Sequence, residues 1–169
     1  MIIKHWCVRH RGFTLAEAML AMVVLGIAAA GVLLPFSSGA AVQAEGMRRT
    51  LSAKLAGDLI ERITTLPFHD PDGSAYYYNE GPDAGEATLE DFDNIDDFDG
   101  YTELQGQVKD SSGMVFTDLN YIKFGRDASC NYVYVPQESR LHTPEYILIT
   151  VRVYYDGREI AAVNRLVNK

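Results

Sequence analysis

Cysteine is nearly absent from this 169-residue chain, which holds only Cys7 and Cys130. No Cys/His spacing suggests zinc, and the four histidines, His5, His10, His69 and His142, stand apart from one another. There is no G-x-S-x-G, Walker A or dinucleotide fingerprint. Ser111, Ser112 and Asp118 have no histidine at motif spacing, so no catalytic constellation emerges and the chain reads as a non-enzyme. Positive charge is also scarce: 15 Lys and Arg face 23 Asp and Glu, for a net charge of -8. That balance excludes an extended nucleic-acid surface, which needs clustered Lys and Arg.

Charge of either sign is missing altogether from Ala18 to Phe36. As a helix this run rises about 28 Å, close to one hydrocarbon core. The segment before it carries Lys4, His5, Arg9, His10 and Arg11 and no acid. Positive charge before the run and none within it predict a cytoplasmic N-terminus and a translocated remainder. One acid, Glu17, sits at the edge of the span. A carboxylate there is costly, about 2.5–3.5 kcal/mol at a helix centre and less near the interface, and such residues usually have a partner. Two plainer readings treat Glu17 as incidental. One is a secretory signal cut near Ser38-Gly39-Ala40, giving a mature start near Ala41. The other is a simple signal anchor.

The junction Arg11-Gly12-Phe13-Thr14-Leu15-Ala16-Glu17 followed by the apolar run resembles the class III signal of type IV pilins and type II secretion pseudopilins. Ala16 stands where many relatives carry Val or Ile. The resemblance implies that a leader of residues 1–12 is removed between Gly12 and Phe13 by the prepilin peptidase, and that Phe13 is then N-methylated. It implies that Glu17 pairs with the N-terminal amine of a neighbouring subunit during assembly. Burying a carboxylate and an ammonium is costly for each alone, and pairing recovers much of that cost. Other pilins or pseudopilins, an inner-membrane platform and its ATPase, and membrane lipid are the implied partners. The implied location is the inner membrane, single-pass, with the head periplasmic or extracellular, then a filament. Losing Lys4, Arg9 and Arg11 would take the net charge to about -11. Cys7 would leave with the leader, so Cys130 could form no internal disulfide, and it is expected to be buried.

Small residues at Gly26, Ala28, Ala29, Ala30 and Gly31 permit close helix packing in a membrane. Pro35 either bends the helix or marks its exit from the membrane. Met47, Leu51, Leu55, Leu59 and Ile63 recur every four residues, with Ile60 and Leu66 alongside, and predict a helix face packed on a sheet. The expectation is one helix from Phe13 to Leu66, spanning the membrane over 13–36 and amphipathic over 37–66, ended by Pro67 and the turn-rich His69-Asp70-Pro71-Asp72-Gly73.

A soluble head over 67–169 follows. Tyr76-Tyr77-Tyr78 reads as a short strand or an aromatic patch. An acidic loop over 80–100 holds Asp91, Asp93, Asp96, Asp97 and Asp99, which invite a calcium reading because hard cations take several carboxylate oxygens. The spacing is not that of an EF-hand, since Ile95 occupies the fifth position. Leu89, Phe92, Ile95 and Phe98 sit three apart and instead predict a short helical turn docked on the core with its acids outward. Strands are expected within 101–108, around Tyr121 to Phe124, over Tyr132 to Val135, and as a hairpin over 146–167. In that hairpin Ile147, Ile149, Val151 and Val153 share one face and Asp156-Gly157 makes a type I′ turn. A long helix followed by an antiparallel sheet is an α+β arrangement, and it is also the pilin architecture. The missing disulfide pair, the spacing to Pro67 and the acidic loop look more like a minor pilin of the PilV or MshD sort than a major subunit. A membrane-anchored calcium-dependent adhesion domain and a secreted hydrolase are the alternatives from other classes.

Overall fold

The computed structural model describes residues 12–71, 81–134, 136 and 144–169. The basic residues Lys4, Arg9 and Arg11, together with Cys7, Tyr76 to Tyr78 and His142, lie outside the described residues.

The first element, α1 (Leu15–Ile63), is a 49-residue helix with Pro35 inside it. Expected from Phe13 to Leu66, it is shorter at both ends for local reasons. Thr14 serves as its cap. At the far end the N–H groups of Thr65 and Leu66 reach back only three residues, to the carbonyls of Arg62 and Ile63, both at 3.2 Å. That tightening precedes Pro67, which disfavours helical backbone in the residue before it. Pro35 offers no N–H to the carbonyl four residues earlier, yet the helix continues past it. The Ser38 hydroxyl donates to the Pro35 carbonyl at 3.0 Å.

Two units follow one another along the chain, one reaching to Glu45 and one running from Gly46 to Lys169. In the first, the apolar part of α1 is long enough to cross a membrane, and its most apolar stretch buries nothing. In the second, hereafter the head, the remainder of α1 packs on a sheet of order β1-β2-β3-β4. Its strands are β1 (Thr102–Glu103), β2 (Phe124–Val133), β3 (Tyr146–Tyr155) and β4 (Arg158–Asn168), all antiparallel neighbours.

The hairpin matches its expectation. Ile147, Ile149, Val151 and Val153 are fully buried on the helix-facing side. Asp156 and Gly157 both hold positive φ, 53° and 76°, as a type I′ turn requires. A register shift at Val153/Tyr154 lets both Ile160 and Ala161 pack on the core. From the helix, Leu55, Ala56, Leu59, Ile60 and Ile63 complete the core. Met47, placed on that face by its spacing, is 68% exposed, because it precedes the turn of α1 that meets the sheet.

The other strands depart from expectation. The segment 101–108 contributes only the two-residue β1, because Gly106 turns the chain at φ 76°. Residues 121 to 123 form a turn, and β2 starts at Phe124 and runs unbroken through Gly125, Arg126 and Asp127. Gly125 is required by close approach: a Cβ there would lie 3.0 Å from the Glu103 carbonyl oxygen.

Beyond β1, the outer edge of β2 is closed by the acidic loop. The Ala128 N–H donates to the Tyr101 carbonyl at 2.9 Å, and the Cys130 N–H to Asp99 Oδ1 at 3.0 Å. Only Asp96–Phe98 is helical there, as a 3-10 turn. Leu89, Ile95 and Phe98 are buried, as their spacing predicted. The acids, however, do not all point outward: Asp96 and Asp97 are buried along with Asn94.

Candidate functional site

Two places hold the residues singled out from the sequence. The first is the start of α1. Thr14 and Glu17 form a reciprocal cap. The Glu17 N–H donates to Thr14 Oγ1 at 3.3 Å, while Glu17 Oε2 accepts from the Thr14 N–H at 2.9 Å and from the Thr14 hydroxyl at 3.0 Å. This is a capping box, in which side chains satisfy helix N–H groups that have no partner within the helix. Its T-x-x-E spacing is present in the sequence at Thr14 and Glu17. The cap turns the Glu17 carboxylate back toward the chain's start rather than outward along α1. Phe13 just before it is 87% exposed, and Gly12 is also exposed. Met19, Leu20, Met22, Val23, Leu25 and Ile27 follow, each more than half exposed. Apolar surface of this extent calls for a cover of lipid or of other apolar helices.

The second is the acidic loop. Asn94 and Asp97 cap one another: Asn94 Oδ1 accepts from the N–H groups of Asp96 (2.9 Å) and Asp97 (3.2 Å), and Asp97 Oδ2 from those of Asp93 (2.9 Å) and Asn94 (3.0 Å). These bonds account for buried polar side chains in a loop that sequence spacing read as outward-facing. Of the five aspartates expected as ligands, Asp93 and Asp97 come together, joined by Glu86, with one carboxylate oxygen from each within 4.8 Å of the others. The remaining three are engaged locally. Asp91 accepts from the Thr88 N–H and hydroxyl, at 2.9 and 2.7 Å. Asp96 accepts from the Tyr132 hydroxyl at 2.5 Å, and Asp99 holds the Cys130 N–H.

Burial and the neighbouring charges of Asp97 and Asp93 raise the Glu86 pKa, against the pull of the Asp83 N–H. Burial lifts Asp96 to about 6, with the Asp97 charge adding to it and the Tyr132 hydroxyl opposing. The carboxylate oxygens of Glu86, Asp93 and Asp97 are the donor type that hard cations take. Glu86 was not among the expected ligands, because it lies seven residues before Asp93 and only the loop's fold brings it near. Cys130, expected to be buried, is fully so, and burial followed by the charge of Asp99 pushes its thiol up to about 12.

The model of one family, described as the prokaryotic N-terminal methylation motif, matches residues 7–33. The match covers the junction at Gly12 and Phe13, the capping box and most of the exposed apolar helix. No curated protein and no solved structure matches the chain.

Proposed function

We propose that this chain is a pilin-like structural subunit, a minor pilin or a pseudopilin, that is cleaved between Gly12 and Phe13, N-methylated on Phe13, and assembled into a membrane-rooted filament. The observation that carries this is the match to the methylation motif over residues 7–33, which runs into a helix from Leu15 whose apolar side chains are exposed. Before assembly, lipid would cover that helix over residues 13–36. Within a filament, sister helices would do so, with Gly26 and Gly31 permitting close approach. Glu17 would neutralise the Phe13 amine of a neighbouring subunit. The head would face outward and meet partners. Extraction from the inner membrane would fall to the assembly platform and its ATPase, by resemblance to pilin systems.

Mass spectrometry of the mature N-terminus after co-expression with a prepilin peptidase tests the proposal. The expected start is N-methyl-Phe13. A start near Ala41, or an uncleaved Met1, would remove the filament mechanism.

A second reading, a calcium-dependent adhesion domain that uses α1 only as an anchor, draws on the carboxylates of Glu86, Asp93 and Asp97. The two readings part at Glu17→Ala. That substitution leaves surface function intact if α1 is only an anchor and abolishes assembly if the chain is a filament subunit.

A further inference from the structure

The two edges of the head's sheet are finished differently. The β2 edge pairs with β1 and is then closed by the acidic loop, through the Ala128 and Cys130 N–H groups. β4 is the opposite edge, 11 residues long, and among the described residues it pairs with β3 alone.

The ladder fixes which backbone groups of β4 are spare. The Lys169 N–H donates to the Glu145 carbonyl at 3.0 Å, and the register runs unbroken from Asn168 back to Ala161. Backbone groups along an antiparallel strand point to alternate sides, so those of Ala161, Val163, Arg165 and Val167 face β3. Those of Ala162, Asn164, Leu166 and Asn168 face outward, and among the described residues nothing meets them there. The register shift near Ile160 interrupts only the start of the strand. An open edge of this length is a template for another strand.

Side chains along the edge define the chemistry of the guest. Ile147, Ile149 and Val151 are fully buried on the helix-facing side, and their register partners are Val167, Arg165 and Val163. Directly opposed residues share a face, so Arg165 lies between two half-buried valines that pack on the core. Its own side chain is exposed, and among the described residues no carboxylate stands within ion-pair distance of it. The acid of β4, Glu159, is the register partner of Tyr154, on the other face with Asp127 and Arg152. Arg158 and Lys169 add cations at the two ends of the strand. A second copy of β4 would bring cations to cations, and Arg165 is an inward-pointing charge of the kind that discourages self-pairing.

We propose that the open edge of β4 accepts an extended segment of a partner protein as a fifth strand, with an Asp or Glu opposite Arg165 and apolar residues opposite Val163 and Val167. Main-chain hydrogen bonds to Ala162, Asn164, Leu166 and Asn168 supply the attraction, and the alternating side chains supply the selectivity. The Arg165 backbone turns away from the guest, and at such positions of an antiparallel pair the opposed side chains come closest. One carboxylate there both pairs the cation and sets the register. The inference needs only the fold of the head and goes beyond the filament reading.

The test uses the full detergent-solubilised chain and the peptide Thr-Val-Thr-Glu-Thr-Val-Thr, capped at both ends, with amide exchange read residue by residue by NMR. Saturating peptide is expected to slow exchange at Ala162, Asn164 and Leu166 about tenfold or more. Val163 and Arg165, already bonded to β3, change much less. Replacing the peptide's glutamate by lysine weakens binding about fivefold, and Arg165→Glu reverses the preference. A peptide N-methylated at its third and fifth residues, which lacks the donors that face β4, has no effect. No protection by the glutamate peptide, or equal protection by the glutamate and lysine peptides, overturns the proposal. Protection of the outward amides without peptide that grows with protein concentration assigns the edge to a second copy and also overturns it.

Discussion

Arg126 and Glu103 form a sealed, two-point ion pair, with Arg126 Nε 2.6 Å from Glu103 Oε2 and a second nitrogen 3.1 Å from Oε1. Their side chains are 4% and 2% exposed. The pair is also a junction. Arg126 donates to the carbonyls of Leu55 on α1 (2.8 Å) and Lys109 (2.9 Å). Glu103 accepts from the Tyr101 hydroxyl (2.8 Å) and the Lys109 N–H (3.2 Å). One buried guanidinium therefore joins helix, strand and loop. Removing one member leaves the other charge buried, so Arg126→Met is expected to destabilise the head by about 3–5 kcal/mol. Combining it with Glu103→Leu should recover part of that loss, because no lone charge remains. Denaturant unfolding of the detergent-solubilised chain, followed by circular dichroism, reads both. A double variant no better than the worse single variant would show that the hydrogen bonds to Leu55 and Lys109 matter more than the ion pair.

The cap at the start of α1 separates two roles of Glu17. Glutamine can serve in a capping box but carries no charge. If assembly depends on the charge, Glu17→Gln should fail as completely as Glu17→Ala in a filament assembly assay. If it depends on the cap, Gln should restore it. Thr14→Val should fray the first turn by about 1 kcal/mol, read as faster amide exchange at Leu15 to Glu17, whereas Thr14→Ser should not.

Cys130 should be inert. Burial holds its thiol protonated up to about pH 12, so thiol-reactive reagents should leave Cys130 of the folded Cys7→Ser chain unlabelled at pH 9 and label it in denaturant. Oxidation should yield no dimer through this residue. The linkage follows in sign: the unfolded thiol ionises near its ordinary value of about 8.5. Stability from this group is therefore fully present below that pH and falls as pH rises toward 12. Labelling of folded protein at pH 9 would contradict the burial.

Gly125→Ala would place a methyl group against the backbone of Glu103, Leu104 and Gln105, at 3.0 to 3.4 Å. Backbone cannot swing aside as a side-chain end can. A loss of about 1–3 kcal/mol is expected, with β1 parting from β2 and Tyr101 becoming more exposed. Wild-type stability would show that β1 shifts without cost.

Much of the fold was legible because local chemistry and global packing agree. Asp156-Gly157 between alternating apolar runs specifies the hairpin and its register, and the four-residue spacing of Leu55, Leu59 and Ile63 specifies the buried face of α1. β2 was illegible at its start because Gly125 and Asp127 are poor strand formers. Pairing with β3 on one side and β1 on the other overrides that preference. Asp96 and Asp97 misled for a related reason. Acids at a surface loop ordinarily face water, but Asp97 satisfies backbone N–H groups and Asp96 meets a tyrosine that follows 36 residues later.

The membrane-length helix, its cap and the β3–β4 hairpin are written in residues close along the chain. Each follows from spacing, turn chemistry and the absence of charge. The Arg126 junction, the closure of the β2 edge by Asp99 and the gathering of Glu86 with Asp93 and Asp97 were decided by the tertiary structure. Arg126 reaches Glu103 and Leu55 across 23 and 71 residues, and Asp99 reaches Cys130 across 31. A buried polar group takes the partner that folding brings within about 3 Å, and no local pattern in the chain encodes which residue that is.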